Sequence, residues 1–353
     1  MALRARGTNP RRRGAAADRR YIAGPPFFFE KKRGGLSAPK GEFAMPVVLG
    51  LASSHAPSLF ADIEYWPAIH KGLTRDVPQP RELADETPEV IAGWIERIGE
   101  AFATLRRQIE EHRLDAVIIV GDDQAEVFSN ACNPGIAVYA GEEVSGSTSI
   151  SWIGQDRKDN HISLKGEPSV AMTLLNGLLE RNFDPALMEK LVPLARPEGG
   201  LGHAFTRVAR ACGLHETMLP TIPLFVSSYH PPMPSGARCY ALGKAIAEIF
   251  ADRSERIGIY GSGGLSHDPI GPRAGWVDEP LDHWVLERIE RAEGEKLGHL
   301  FSFDSDTLRG GSGEIRSWIV AAGAFDGIKG NVVDYIPARH AVTGLGFAYW
   351  SRD

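Results

Sequence analysis

From residue 46 onward, short unbroken apolar runs alternate with longer amphipathic stretches. Residues 46–52 (PVVLGLA) read as a strand buried on both faces that ends in the polar loop Ser53-Ser54-His55. Residues 115–121 (DAVIIVG) read as a second such strand, ending in Asp122-Asp123-Gln124, and residues 136–139 as a third. Further strands are predicted over 221–227 (TIPLFVS), over 256–260 leading into Gly261-Ser262-Gly263-Gly264, and over 347–350. Thr87-Pro88 has the form of a helix start, with Thr as N-cap and Pro at the first helical position. Val90, Ile91, Trp94, Ile95, Ile98, Phe102, Leu105 and Ile109 follow it at helical spacing. Residues 168–179, 204–212, 235–250 and 314–322 also read as helices, and 281–297 as one long charged helix.

Strands alternating with helices predict an α/β sandwich: a central mixed sheet flanked by helices in a single catalytic domain over residues 46–353. In such folds the loops at strand ends gather the chemistry, and His55, Gln124 and His267 all follow predicted strands. The first 45 residues differ from the rest, with an Arg11-Arg12-Arg13 run, Pro25-Pro26 and Phe27-Phe28-Phe29 but no period. They read as a disordered basic extension, a transit peptide, or translated sequence ahead of a start at Met45, the last being the expectation. They carry 11 Lys and Arg against 3 Asp and Glu, whereas the remainder carries 28 against 42. A body this acidic disfavours a nucleic-acid partner. No apolar run reaches the length of a membrane span. Cys132, Cys212 and Cys239 are scattered, without CxxC spacing, so a reducing, cytoplasmic setting is expected.

His55 lies among small residues, and Gly263-Gly264-Leu265-Ser266-His267 presents a second imidazole from a glycine turn. Gly202-His203 opens a helix, and Gly310-Gly311-Ser312-Gly313-Glu314 sets a carboxylate at another helix start. Each has an ordinary alternative: a hydrogen-bonded surface imidazole, or an acid that favours the helix dipole. No GxSxG elbow is present, and no GxGxxG opens the first helix. Spacing alone therefore reaches an α/β enzyme with a His-rich pocket.

Several segments, in order, carry a resemblance. They are Ser53-Ser54-His55-Ala56-Pro57, Tyr65-Trp66 with Lys71-Gly72, Gly121-Asp122-Asp123-Gln124, and Gly202-His203-Ala204-Phe205. Residues 234–243, 261–267 and 271–275, and Gly313-Glu314 with Trp318, complete the series. Together they resemble the class III extradiol ring-cleavage dioxygenases, the superfamily of the protocatechuate 4,5-dioxygenase catalytic (beta) subunit, from about Met45 to the C-terminus. The resemblance implies one non-haem Fe(II) that opens the ring of a catechol-type aromatic diol with O2. It places metal ligands at His55 and Glu314, the general acid/base at His267, and a further pocket imidazole at His203.

The second metal imidazole of the family falls on Gln124, whose amide oxygen is a neutral and weaker donor. Asp123 or Glu126 turned inward are substitutes; His70, His112 and His161 lie outside the matching loop. The Asp expected before position 203 is replaced by Gly202. Arg238 and Arg273 are the candidates for binding an acidic substrate. Two other functions fit the Gln124 replacement: a catalytically silent or regulatory subunit, or a metal enzyme with a His/Gln/Glu site and a different reaction. The resemblance also allows a homodimer or a small helical partner subunit.

Overall fold

The structure is a computed structural model that describes residues 47–352 apart from 157, 159 and 193–199. The basic extension predicted over 1–45 lies outside the described residues. The first half comprises β1 (Val47–Ser53), α1 (Trp66–Thr74), α2 (Pro88–Glu111), β2 (Ala116–Gly121), β3 (Ile136–Tyr139), β4 (Glu143–Ser147), β5 (His161–Lys165), α3 (Pro168–Glu180) and β6 (Ala186–Met188). The second half comprises α4 (His203–Ala211), α5 (Leu214–Thr217), β7 (Thr221–Val226), α6 (Gly236–Phe250), β8 (Ile257–Ser262), α7 (Glu279–Glu290), α8 (Ile315–Ala324), β9 (Asn331–Ala338) and β10 (Thr343–Ser351).

Eight strands form one mixed sheet in the order β6-β3-β7-β2-β8-β1-β10-β9. Its centre, β7-β2-β8-β1, is parallel throughout. The apolar runs are unbroken because these strands are covered on both sides. Along β2, Ile118 and Val120 join a core shared with α3, α6 and α8, whereas Val117 and Ile119 join one shared with α2 and α4. The predicted sandwich of helices around a mixed sheet is therefore the observed architecture.

Local signals account for most boundaries. The Thr87 hydroxyl accepts from the Val90 amide at the start of α2, and the Ser235 hydroxyl accepts from the Arg238 amide at the start of α6. On α2, Ile91, Ile98, Phe102, Leu105 and Ile109 face the sheet, but Val90 and Ile95 are exposed. The long helix predicted over 281–297 is not continuous. It ends at Glu290, Ala292 adopts a left-handed backbone with φ 56, and a 3-10 turn covers Gly294–His299. That break delivers Leu297 and Leu300 to the core beside α6 and α8. The ribbon of β4 and β5 and the edge strands β6 and β9 are additional to the predicted set.

Candidate active site

The carboxyl ends of all four central parallel strands open into one cavity of about 460 Å³. His55 follows β1, Gln124 follows β2, Tyr229 follows β7 and His267 follows β8; all line it, together with His203 and Glu314. Glu314 arrives from a 3-10 segment, Gly310–Glu314, that leads into α8. Its close approach to β8 depends on Gly263, whose φ of 131 suits glycine and where a β-carbon would sit 2.7 Å from the Glu314 β-carbon.

His55 is 3 % exposed, and its ring is held at Nδ1. The Ser262 hydroxyl donates to the Ala204 carbonyl at 2.5 Å, so it accepts from His55 Nδ1–H at 3.0 Å. In that tautomer the Nε2 lone pair faces Glu314 Oε1 at 3.5 Å. Two electron-rich atoms at this separation repel each other unless a cation lies between them or the ring takes a proton. The other carboxylate oxygen, Oε2, lies 3.5 Å from His267 Nε2 and accepts from the Gly264 amide at 2.8 Å. Burial alone raises the Glu314 pKa; the neighbouring His55 and His267 rings and the Gly264 hydrogen bond override it, holding the group well below the usual carboxylate range.

The Gln124 amide nitrogen donates to Glu314 Oε1 at 2.7 Å. Asp123 turns away from the cavity, its carboxylate accepting from the Val127 and Phe128 amides. Glu126 turns inward but is committed to His203, accepting from the backbone amide at 3.1 Å and from Nδ1 at 2.7 Å. Gly202 admits it, since a β-carbon there would lie 2.6 Å from Glu126 Oε2. Burial raises the Glu126 pKa, but His203 and Arg207 outweigh this and bring it to about 2. Burial lowers that of His203, against the pull of Glu126. The His203 ring stands edge-on to His55, with centroids 4.9 Å apart.

His267 Nδ1–H donates to the Leu265 carbonyl at 2.9 Å, which leaves Nε2 as an acceptor for the Tyr229 hydroxyl at 3.2 Å. Burial, with Glu314 nearby, raises the Tyr229 pKa well above its ordinary value and keeps the phenol protonated. Tyr229 was missed in the sequence, although it follows a strand just as the three predicted groups do. Arg207 was also missed; it lines the cavity one helical turn after His203.

The two predicted arginines stand elsewhere. Arg238 is exposed on α6, its guanidinium 4.2 Å over the Phe183 ring and bonded to the Asn182 carbonyl. Arg273 lines a small recess on the far side of His267, with Asp268 and Trp276. Of the other histidines, His70 bonds Gln79, His112 caps α2 through the Gln108 carbonyl, and His161 is exposed on β5.

Residues 78–346 match the family described as the catalytic LigB subunit of aromatic ring-opening dioxygenase, and the chain belongs to that family. Among curated relatives it is similar to a 2,3-dihydroxyphenylpropionate/2,3-dihydroxicinnamic acid 1,2-dioxygenase of Paraburkholderia xenovorans strain LB400. The two are 26 % identical over 205 residues, covering 58 % of each. A protein of the same description from Photorhabdus laumondii is 23 % identical over 54 % of each chain. The match thus spans just over half the length of these relatives. A solved structure of an uncharacterized protein from Escherichia coli K12 aligns with a TM-score of 0.40 and 13 % identity, over 86 % of this chain and 99 % of that one.

The family implies a metal cofactor. The donor set fits one: a neutral imidazole with its free lone pair and an ionised carboxylate face each other, the imidazole oriented from behind by Ser262. Among the described residues no three His, Cys, Asp or Glu side chains form a ready metal cluster. Among these residues no helix is long and apolar enough to cross a membrane.

Proposed function

We propose that this chain is an extradiol dioxygenase that opens the ring of a catechol-type diol with O2. It uses Fe(II) held by His55, Glu314 and, through its amide oxygen, Gln124. The observation that carries this reading is the His55 Nε2 lone pair set 3.5 Å from the Glu314 carboxylate. Iron bound there supplies the path by which ring electrons reach O2, a transfer that is otherwise slow. The protein's own groups do the rest. His267 Nε2, with Nδ1 fixed on a carbonyl, takes a hydroxyl proton from the diol and returns it later. Tyr229 donates to that same nitrogen until substrate replaces it. His203, oriented by Glu126, offers its remaining nitrogen to the cavity. Both oxygen atoms enter the product, a muconic semialdehyde-type acid. In this reading residues 46–353 form the catalytic unit, acting in the cytoplasm.

The test is anaerobic reconstitution with Fe(II), followed by O2 uptake with catechol, protocatechuate, gallate and 2,3-dihydroxyphenylpropionate. No bound iron and no uptake across the panel would sink the proposal. One observation favours a second reading, a catalytically silent subunit: the Gln124 nitrogen, not its oxygen, meets Glu314. Iron content after reconstitution separates the two.

A further inference from the structure

Arg207 is only 4 % exposed, yet it lines the cavity that holds His55 and Glu314. Its Nη1 donates to the His55 carbonyl at 3.1 Å, and its Nε is buried with no hydrogen-bond partner among the described residues. No ion pair joins it to an Asp or Glu among those residues; Glu126 and Glu314, whose charges act on it, are already bonded, Glu126 to His203 and Glu314 to the Gln124 and Gly264 amides. A guanidinium is a cation at neutral pH. A buried charge lacking an ion partner is costly, and an anion that enters the cavity offsets the cost. The guanidinium is planar and suits a carboxylate in particular. Ser147, Ser149 and Ser151 add hydroxyls to the same cavity, so its wall is hospitable to a charged group.

We infer that Arg207 is a specificity-determining residue that recognises a carboxylate carried by the aromatic diol. The inference rests on the proposed ring-diol reading of this cavity and deepens it. It transfers to Arg207 the role that the sequence suggested for Arg238 and Arg273, neither of which lines the cavity. A merely structural Arg207, holding the His55 loop through its carbonyl, would be indifferent to charge on the ligand.

The test is calorimetric binding, under argon, of 3,4-dihydroxybenzoate and 3,4-dihydroxybenzamide to the full chain loaded with Fe(II), repeated with the 2,3-dihydroxy pair. Each pair has the same diol and differs in charge. In at least one pair the acid should bind wild type at least about tenfold tighter, the scale of a charge-assisted hydrogen bond. Arg207→Met should bring that ratio close to one, and Arg207→Lys should keep part of it. Equal affinity of acid and amide for wild type in both pairs would overturn the inference, even if the Met variant did not fold. A ratio unchanged in Arg207→Met would do the same, as would failure of all four ligands to bind. A retained ratio without O2 uptake would instead refute the dioxygenase reading alone. Uptake with no charge preference would refute only the role of Arg207.

Discussion

Removing the Ser262 hydroxyl tests the site most directly. Ser262 is fully buried at the end of β8, and its oxygen both accepts from His55 Nδ1 at 3.0 Å and donates to the Ala204 carbonyl at 2.5 Å. Ser262→Ala leaves the buried His55 Nδ1 unpaired, at a cost to folding of about 1–3 kcal/mol. It also frees the imidazole to rotate or change tautomer, so Nε2 no longer faces Glu314 for all of the time. Partners placed behind a metal-binding histidine are worth about 10–100-fold in affinity, or roughly 1.4–2.8 kcal/mol. Anaerobic titration with Fe(II) or Co(II) reads the affinity, and urea denaturation reads the stability separately. Ser53→Ala is the control: Ser53 is equally buried and bonds Tyr260 and the Ser54 carbonyl, with no hydrogen bond to His55. It should reduce stability without altering metal affinity. If Ser262→Ala binds metal within about twofold of wild type while remaining folded, the argument from the His55 tautomer is wrong.

Other outcomes follow from the same structure. Gly202→Ala should expel Glu126 from His203 and lower O2 uptake by about tenfold or more, with a fall in melting temperature. Trp318→Ala, at a fully buried indole that bonds the Gly263 carbonyl, should cost about 3–5 kcal/mol in urea unfolding. Burial raises Asp282 to about 7 despite hydrogen bonds from Tyr335 and Ser266. The folded chain then keeps a proton that the unfolded chain sheds above about pH 4, so this group's contribution to stability falls as pH rises from about 4 to 7. The stability of wild type relative to Asp282→Asn should therefore drop by more than about 1 kcal/mol across that window. Arg238→Ala should leave ligand affinity within about twofold and cost at most about 1 kcal/mol, since its guanidinium lies exposed over Phe183.

The central strands were legible because each is a dense apolar run, and such runs are diagnostic when both faces of a sheet are covered. The helix start at Thr87 was legible because capping is local chemistry. What failed was decided at a distance. Nothing near Ala292 announces a left-handed turn; the need to seat Leu297 against α6 and α8 imposes it. In β4 and β5, Val144, Ile162 and Leu164 alternate with polar residues over only five positions each, too few to stand out. In the cavity, His55, His203, His267 and Glu314 could be singled out as residue types that glycine-rich or strand-end loops present. Arg207 and Tyr229 could not, because an arginine inside a helix and a tyrosine in a loop are ordinary until the fold closes around them.

Strand β1 lies between β8 and β10, whose residues come from the last third of the chain. A ribosome releasing this protein therefore makes His55 long before Ser262 and Glu314 exist to seat its ring. The imidazole meets its carboxylate only when residues 257–351 arrive, so partial translation products carry no assembled centre. The pairing of imidazole and carboxylate on which the proposed metal site depends is thus tied to synthesis of the last third of the chain.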